Sequence, residues 1–132
     1  RITSNALNDM TTNSLDHLDG YINVDDLVKR CMGNLDFATR ILGMLNDRCE
    51  ADLAELEEAV RDYNPQKIAK VSHRLKGALA NSGAYDLCQR AATLCENAPT
   101  SAPEKVAAQV TQLRKEWDNL AALLNEAHTP AT

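Results

Sequence analysis

The feature that most constrains the fold is a regular spacing of apolar residues between positions 38 and 63. Successive members lie 4, 3, 4, 4, 3, 4 and 3 residues apart, which is the spacing of one face of an α-helix. The members are Ala38, Leu42, Leu45, Cys49, Leu53, Leu56, Val60 and Tyr63. A helix with a single apolar stripe buries that stripe against a neighbour. The pattern therefore predicts one long helix, capped by Asn34, that packs against other helices.

Capping residues delimit the two helices on either side of it. Asn23 is a good N-cap for a short helix over residues 24–31, which carries acids in its first turn and bases in its last, and Gly33 ends it. The segment 65–82 begins with a proline, which suits a first helical turn and disfavours helical backbone at the residue before it. A tight hairpin therefore precedes this helix, and Gly83 ends it.

Two further amphipathic helices complete the pattern, one over residues 84–97 and a long one after the 99–103 connection. Ser101 and Glu104 have the spacing of a capping box, and Trp117 falls on the apolar stripe as a core residue. No β-branched run is long enough for a strand. The predicted fold is all-α: an antiparallel up-down-up-down four-helix bundle with a short additional N-terminal helix.

The composition is that of one globular domain, with 44% hydrophobic and 25% charged residues. Residues 1–20 are polar and aperiodic and are predicted to be a flexible tail or linker, followed by the bundle at 21–127 and a frayed end at 128–132. A net charge of −5 without a basic stripe argues against nucleic acid as a partner. No apolar segment approaches the length of a membrane span, so no membrane association is expected.

The cysteines have neither a disulfide-like spacing nor a C-x-x-C pair. Each falls within an apolar helical pattern, so they are interpreted as small, reduced core residues; they are Cys31, Cys49, Cys88 and Cys95. Reduced thiols fit a cytoplasmic protein.

One histidine lies in a predicted helix with an unusual environment. His73 projects from the flank of the 65–82 helix, beside the small residues Ala69, Gly77 and Ala80 and the cation Lys76. Small neighbours would let another protein approach the imidazole. Lys76 is one turn away, where its ammonium could reach a negative group attached to the ring.

Several kinds of chemistry are excluded by the residues. No Glu-x-x-His pair for a di-iron site and no glycine-rich phosphate loop is present, so ATP binding is not expected. A hydrolase would need a base and an orienting acid, but His17 and His128 lie in the predicted tails. His73 alone cannot hold zinc, so no metal site is predicted. What remains is an exposed imidazole, which is nucleophilic when neutral, or a surface histidine without a role.

The sequence His73-Arg74-Leu75-Lys76-Gly77, followed after five residues by Gly83, resembles the signature of histidine-containing phosphotransfer (HPt) domains of two-component phosphorelays. The resemblance covers roughly residues 20–125. Two positions depart from it: Met44 or Leu45 stands where many relatives carry Phe, and Ala78 stands where Ser is frequent.

The resemblance implies a monomeric phosphocarrier without kinase activity of its own. His73 would accept a phosphoryl group from the aspartyl phosphate of one receiver domain and return it to another receiver's aspartate. Lys76 would help hold the phosphoryl group, Gly77 with Ala69 and Ala80 would let the receiver dock, and Gly83 would close the helix. The implied partners are response-regulator receivers and a hybrid sensor histidine kinase, and the receiver would supply Mg²⁺, so that the chain needs no cofactor.

Two other hypotheses are compatible with a helical bundle. In the first, the chain is a non-catalytic interaction module that docks a receiver or another protein, and His73 is incidental. In the second, it is the dimerising phosphoacceptor domain of a sensor kinase. That kind of domain usually has an acidic residue directly after its histidine, where this chain has Arg74, and one helical hairpin per subunit.

Overall fold

The computed structural model of the chain describes Leu15 and residues 17–128, with side chains as far as residue 125. From residue 24 onward this part of the chain forms five helices and no strand, which confirms the all-α prediction. The helices are α1 (Val24–Arg30), α2 (Leu35–Arg61), α3 (Pro65–Asn81), α4 (Tyr85–Asn97) and α5 (Pro103–His128). The predicted bounds of α1, α3 and α4 agree with these to within one residue.

The four long helices pack as a closed ring. α3 packs against α2 and α4, and α5 packs against both α4 and α2. Because short turns join consecutive helices, neighbours run antiparallel, and the up-down-up-down bundle with one short N-terminal helix is confirmed. The whole four-helix core is thus built within one chain.

The apolar stripe of α2 lies in the core, as its spacing predicts. Its buried members are Ala38, Leu42, Leu45, Cys49, Leu53 and Leu56. Val60 is half-buried, and Tyr63 is an exception with 57% of its surface exposed. The reason is that α2 ends at Arg61, so Tyr63 lies in the turn and no longer follows the helical rotation.

Each of the first three helices begins at an asparagine N-cap. The side-chain oxygens of Asn23, Asn34 and Asn64 accept hydrogen bonds from the backbone amides of Asp26, Phe37 and Lys67 at 3.0, 3.0 and 3.1 Å. This contact satisfies an amide that has no partner within the helix. The predicted caps of α1 and α2 are therefore confirmed. The predicted capping box of Ser101 and Glu104 is wrong, because α5 begins at Pro103 and the amide of Lys105 donates to the Ala102 carbonyl.

The same helices end in a left-handed residue that reverses the chain. The three residues are Met32 (φ 55°), Tyr63 (φ 51°) and Gly83 (φ 79°). The amide that follows each one donates back to a carbonyl of the helix, from Gly33 to Val28, from Asn64 to Ala59 and from Ala84 to Leu79. This is the Schellman arrangement. Gly33, predicted to end α1, also has positive φ, but Met32 is the first left-handed residue.

The core extends into the segment predicted as a tail, residues 1–20. Leu15 and Leu18 have 4% and 0% of their surface exposed and belong to the same buried cluster as Ile22. Isolated apolar residues in a short turn have no helical periodicity, which is why the pattern did not assign them to the core. Residues 1–14, residue 16 and residues 129–132, the rest of both predicted tails, lie outside the described residues.

All four cysteines are free, and their burial differs from the prediction for two of them. Cys31 and Cys49 are buried core residues. Cys88 and Cys95 are only half-buried, on α4. Trp117 is 1% exposed, as predicted, and its indole N–H donates to the Glu50 carboxylate at 2.9 Å.

Candidate functional site

His73 stands on the outer side of α3. The opposite side of the helix is buried and consists of Ile68, Val71, Ser72, Leu75 and Leu79. His73 itself is exposed, and no hydrogen bond or ion pair among the described residues involves its ring. The helix backbone is anchored by its core face, so the structure presents a free imidazole on a rigid support.

Small residues surround this imidazole. Gly77 is exposed, and a Cβ added there would meet nothing within 4 Å. Ala69 and Ala80 are half-buried, so neither projects far above the helix surface. A partner's backbone could therefore approach the ring closely from this side.

Lys76 lies one turn after His73 and is half-buried. Residues three apart on a helix have their Cβ atoms about 5–6 Å from each other. No ion pair of the described residues involves Lys76, so its ammonium is not already committed to a carboxylate. It is a cation within reach of any group attached to the ring.

Gly83 follows the end of α3, and both its backbone conformation and its closeness to Asn23 favour glycine there. Its φ of 79° is a conformation that glycine adopts at little cost, and an added Cβ would lie 3.1 Å from the Asn23 carbonyl oxygen. The Gly83 carbonyl in turn accepts a hydrogen bond of 2.9 Å from the Asn23 amide. The position therefore requires a residue without a side chain.

An apolar groove of about 390 Å³ runs between α2 and α3. The sequence did not predict this groove, because residues of two separate helices form its walls. Its walls are Ile41, Met44, Leu45, Arg48, Ala78, Asn81 and Ser82. Met44 is 71% exposed at its rim, and Phe37, one turn from Ile41 on the same helix, is 45% exposed. Exposed large apolar side chains beside a groove are typical of a protein contact surface.

The residue after His73 is tied to α2 by an interaction that the sequence did not suggest. Arg74 donates from Nε and Nη2 to Oδ1 of Asp52 at 3.1 and 2.8 Å, and it also binds Glu55. The Asp52 side chain is only 3% exposed. The hydrogen bonds to Asp52 have the largest effect on the pKa of Arg74, and together with the one to Glu55 they raise it above its ordinary value. The pair fixes how α3 lies against α2.

Two negative findings concern the part of the chain that the structure describes. No cluster of three or more His, Cys, Asp or Glu side chains there could hold a metal ion. None of its helices combines the length and the apolar character needed to cross a membrane.

The comparisons with known proteins agree with this geometry. The family model described as "Hpt domain" matches residues 40–129, which include His73, most of α2 and all of α3, α4 and α5. No curated protein and no solved structure matches the chain. Because the family model covers more than half of the sequence, this chain belongs to the Hpt domain family, the histidine-containing phosphotransfer domains.

Proposed function

We propose that the chain relays a phosphoryl group between receiver-domain aspartates through His73 in a multistep phosphorelay. The observation that carries the proposal is the free imidazole of His73, exposed on a helix whose other side is buried, beside an open Gly77. The family match supports phosphotransfer as the general activity. Among the described residues His17 is the other histidine whose side chain can be compared, and its Nε2 lies 3.2 Å from the Leu123 carbonyl oxygen.

In the proposed reaction, an unprotonated ring nitrogen of His73 attacks the phosphorus of an aspartyl phosphate on the docked receiver. The P–N bond forms as the P–O bond breaks, and the electron pair of that bond leaves on the aspartate carboxylate. The proton on the other ring nitrogen stays in place. The reverse sequence delivers the group to a second receiver, which makes the chain a carrier that needs no nucleotide.

In this reaction the chain supplies positioning and positive charge, in contrast to the receiver. A transferring phosphoryl group carries negative charge on its equatorial oxygens, and Lys76 would place one ammonium beside them. The receiver would bring Mg²⁺ and the acidic pocket that holds it, so the chain itself would use no metal. Lys76 is a point charge on a flexible stem, which lets it follow the group as it moves.

The apolar groove between α2 and α3 supports docking of a receiver next to His73. Met44 and Phe37 would provide apolar contact area, and the small residues Ala69, Gly77 and Ala80 would admit the receiver's backbone near the ring. Relay between receiver domains would place the chain in the cytoplasm, in keeping with its four free cysteines. The closed single-chain bundle suits a monomeric carrier.

The test is transfer of label from a panel of phosphorylated receiver domains, with Mg²⁺, to the wild type, His73→Gln and His17→Gln. Acid-labile label is expected on the wild type and on His17→Gln and not on His73→Gln, with unchanged melting temperatures. Label on His73→Gln would overturn the assignment of the phosphoacceptor. Receiver binding without any transfer would favour the alternative of a non-catalytic docking module.

A further inference from the structure

Polar contacts hold α1 against the end of the phosphoacceptor helix. Arg30, the last residue of α1, donates from Nη1 to the carbonyl oxygens of Ala80 and Asn81 at 2.9 and 3.1 Å. Its Nη2 donates to the Tyr85 hydroxyl at 3.0 Å, and that hydroxyl donates to Oδ2 of Asp26 at 2.9 Å. We call Asp26, Arg30 and Tyr85 the polar clamp.

Arg30 occupies the position where α3 most needs a cation. The last carbonyls of a helix have no partner within it, and they carry the negative end of the helix dipole. A guanidinium can meet two of them at once because its N–H groups form a fixed fork. The Arg30 guanidinium also lies 6.0 Å from the centre of the Tyr85 ring.

The rest of α1 has few ways to hold its position. It is 7 residues long, and its buried residues are Val24 and Leu27. A helix this short is not stable in isolation, so its place depends on tertiary contacts. Val28 is half-buried and also packs against the core. Apart from these three side chains and the hydrogen bond from Asn23 to Gly83, the polar clamp supplies the hydrogen bonds that join α1 to α3 and α4.

The clamp reaches the surface around His73. Ala80, whose carbonyl Arg30 binds, lies seven residues after His73, which is two turns along the same side of α3. A receiver seated on His73 and Ala80 would therefore also meet the C-terminal end of α1. We infer that Arg30 is a positioning residue for phosphotransfer, which holds α1 in the place where it completes the receiver-docking surface. This inference rests on the proposed function of His73.

A positioning role predicts a separation between docking and chemistry. The hydrogen bonds of Arg30 go to Ala80, Asn81 and Tyr85 and not to His73, so loss of Arg30 should leave the reactivity of the ring unchanged. It should weaken the receiver complex, because α1 would have to be ordered at each encounter. The expected result for Arg30→Met is a KM for the phosphorylated receiver about fivefold higher, equivalent to ~1 kcal/mol, with kcat unchanged.

The experiment compares the intact wild type with Arg30→Met, Arg30→Lys, Tyr85→Phe and the control Lys29→Met. Lys29 is the neighbouring exposed cation of α1, and its side chain makes no ion pair among the described residues, so its loss removes the same charge without the clamp. Each variant is assayed with a phosphorylated receiver and with phosphoramidate, a small phosphoryl donor that needs no docking surface. Melting temperatures are measured in parallel.

The outcomes separate the two proposals. The inference is supported if Arg30→Met raises only the receiver KM, if Arg30→Lys recovers part of it and if Lys29→Met behaves as the wild type. An unchanged KM in Arg30→Met overturns it, and so does an equal loss with both donors, which would indicate general unfolding. A wild type that phosphoramidate labels and no receiver does would instead overturn the proposed relay, and this inference with it.

Discussion

The backbones of Asn23 and Gly83 meet directly: the Asn23 amide donates to the Gly83 carbonyl at 2.9 Å, and a Cβ on Gly83 would lie 3.1 Å from the Asn23 carbonyl oxygen. This contact joins the chain entering α1 to the turn after α3. It makes Gly83 subject to two constraints at once, a left-handed backbone and a close neighbour that cannot move as a side chain could.

Gly83→Ala should therefore lower the free energy of unfolding by about 2 kcal/mol or more, since the left-handed conformation alone costs an L-residue about 1–2 kcal/mol. Urea denaturation followed by circular dichroism measures the change. Gly33→Ala is the matched control, because Gly33 has nearly the same φ, 78° against 79°, but open space around the added Cβ. Equal losses for the two variants would show that the contact with Asn23 contributes nothing.

The ion pair of Arg74 and Asp52 leads to a second prediction. Arg74→Met leaves the carboxylate of Asp52 buried without its cation, and breaking a fully buried pair typically costs about 3–5 kcal/mol. The Arg74 side chain is 39% exposed, so solvent reduces the cost and we expect a loss of about 2 kcal/mol. Urea denaturation measures this as well.

Glu55→Gln is the control for that pair, because Glu55 binds the same arginine but is 45% exposed. We expect it to change stability by about 0.5 kcal/mol or less. Adding Asp52→Leu to Arg74→Met should recover most of the loss, since no buried charge would remain. A loss as large in Glu55→Gln would mean that the exposed contact, and not Asp52, stabilises the pair of helices.

How far the sequence predicts this molecule depends on the range of the interaction. Caps and periodicity are local, so the positions of Asn23, Asn34 and Gly83 and the exposed place of His73 follow from neighbouring residues. The helix ends at Met32 and Tyr63 are harder to predict from the sequence, because non-glycine residues rarely adopt positive φ. At these two positions tertiary packing determines the turn.

Contacts between helices could not be derived in the same way. Arg74 and Asp52 are 22 residues apart, and Arg30 and Ala80 are 50 apart. Their meeting depends on the rotation and axial offset of packed helices, which the apolar stripe defines only coarsely. The same is true of the α2–α3 groove, because its walls come from two separate helices and no one segment encodes it.

The buried thiol of Cys49 predicts a loss of stability in alkali. Burial, assisted by the charges of Asp52 and Glu50, raises the pKa of this thiol from 9.0 to about 12. Below pH 9 the thiol keeps its proton in both the folded and the unfolded chain, so its titration does not reduce the free energy of unfolding. Between pH 9 and about 12 the unfolded chain releases the proton and the folded chain keeps it, so rising pH favours unfolding.

Comparison with Cys49→Ala isolates that effect from other titrating groups. The variant loses packing at every pH, but it lacks the thiol. The difference in free energy of unfolding between the wild type and the variant should therefore shift by about 2 kcal/mol against the wild type between pH 7.5 and 10.5. Urea denaturation of both proteins at the two pH values tests this, and a constant difference between them would contradict it.

Docking through the α2–α3 groove predicts that charge at its rim weakens receiver binding. Met44→Lys should raise the KM for a phosphorylated receiver about tenfold, because an ammonium replaces apolar contact area. Its stability should stay within about 0.5 kcal/mol of the wild type, since Met44 is 71% exposed. Tyr63→Lys is the control in the turn after α2, where the side chain is 57% exposed and outside the groove. An effect of equal size there would point to net charge instead of docking.

Substitution of Gly77 by alanine should change stability and phosphotransfer in opposite directions. It lies inside α3, where a glycine costs about 0.5–1 kcal/mol relative to alanine, and an added Cβ would meet nothing within 4 Å. Gly77→Ala should thus make the domain more stable. The same methyl group would stand beside His73, in the space that a docking receiver is proposed to use, so transfer should fall by about tenfold to a hundredfold.

Gly43→Ala is the matched control for that variant. Gly43 lies inside α2 and also has open space around its Cβ, but it is outside the α2–α3 groove. It should gain similar stability and keep full transfer from a phosphorylated receiver. If Gly77→Ala transfers as fast as Gly43→Ala, the receiver does not approach over Gly77. Should both variants lose transfer equally, the cause would be stiffening of the bundle and not a steric block beside the imidazole.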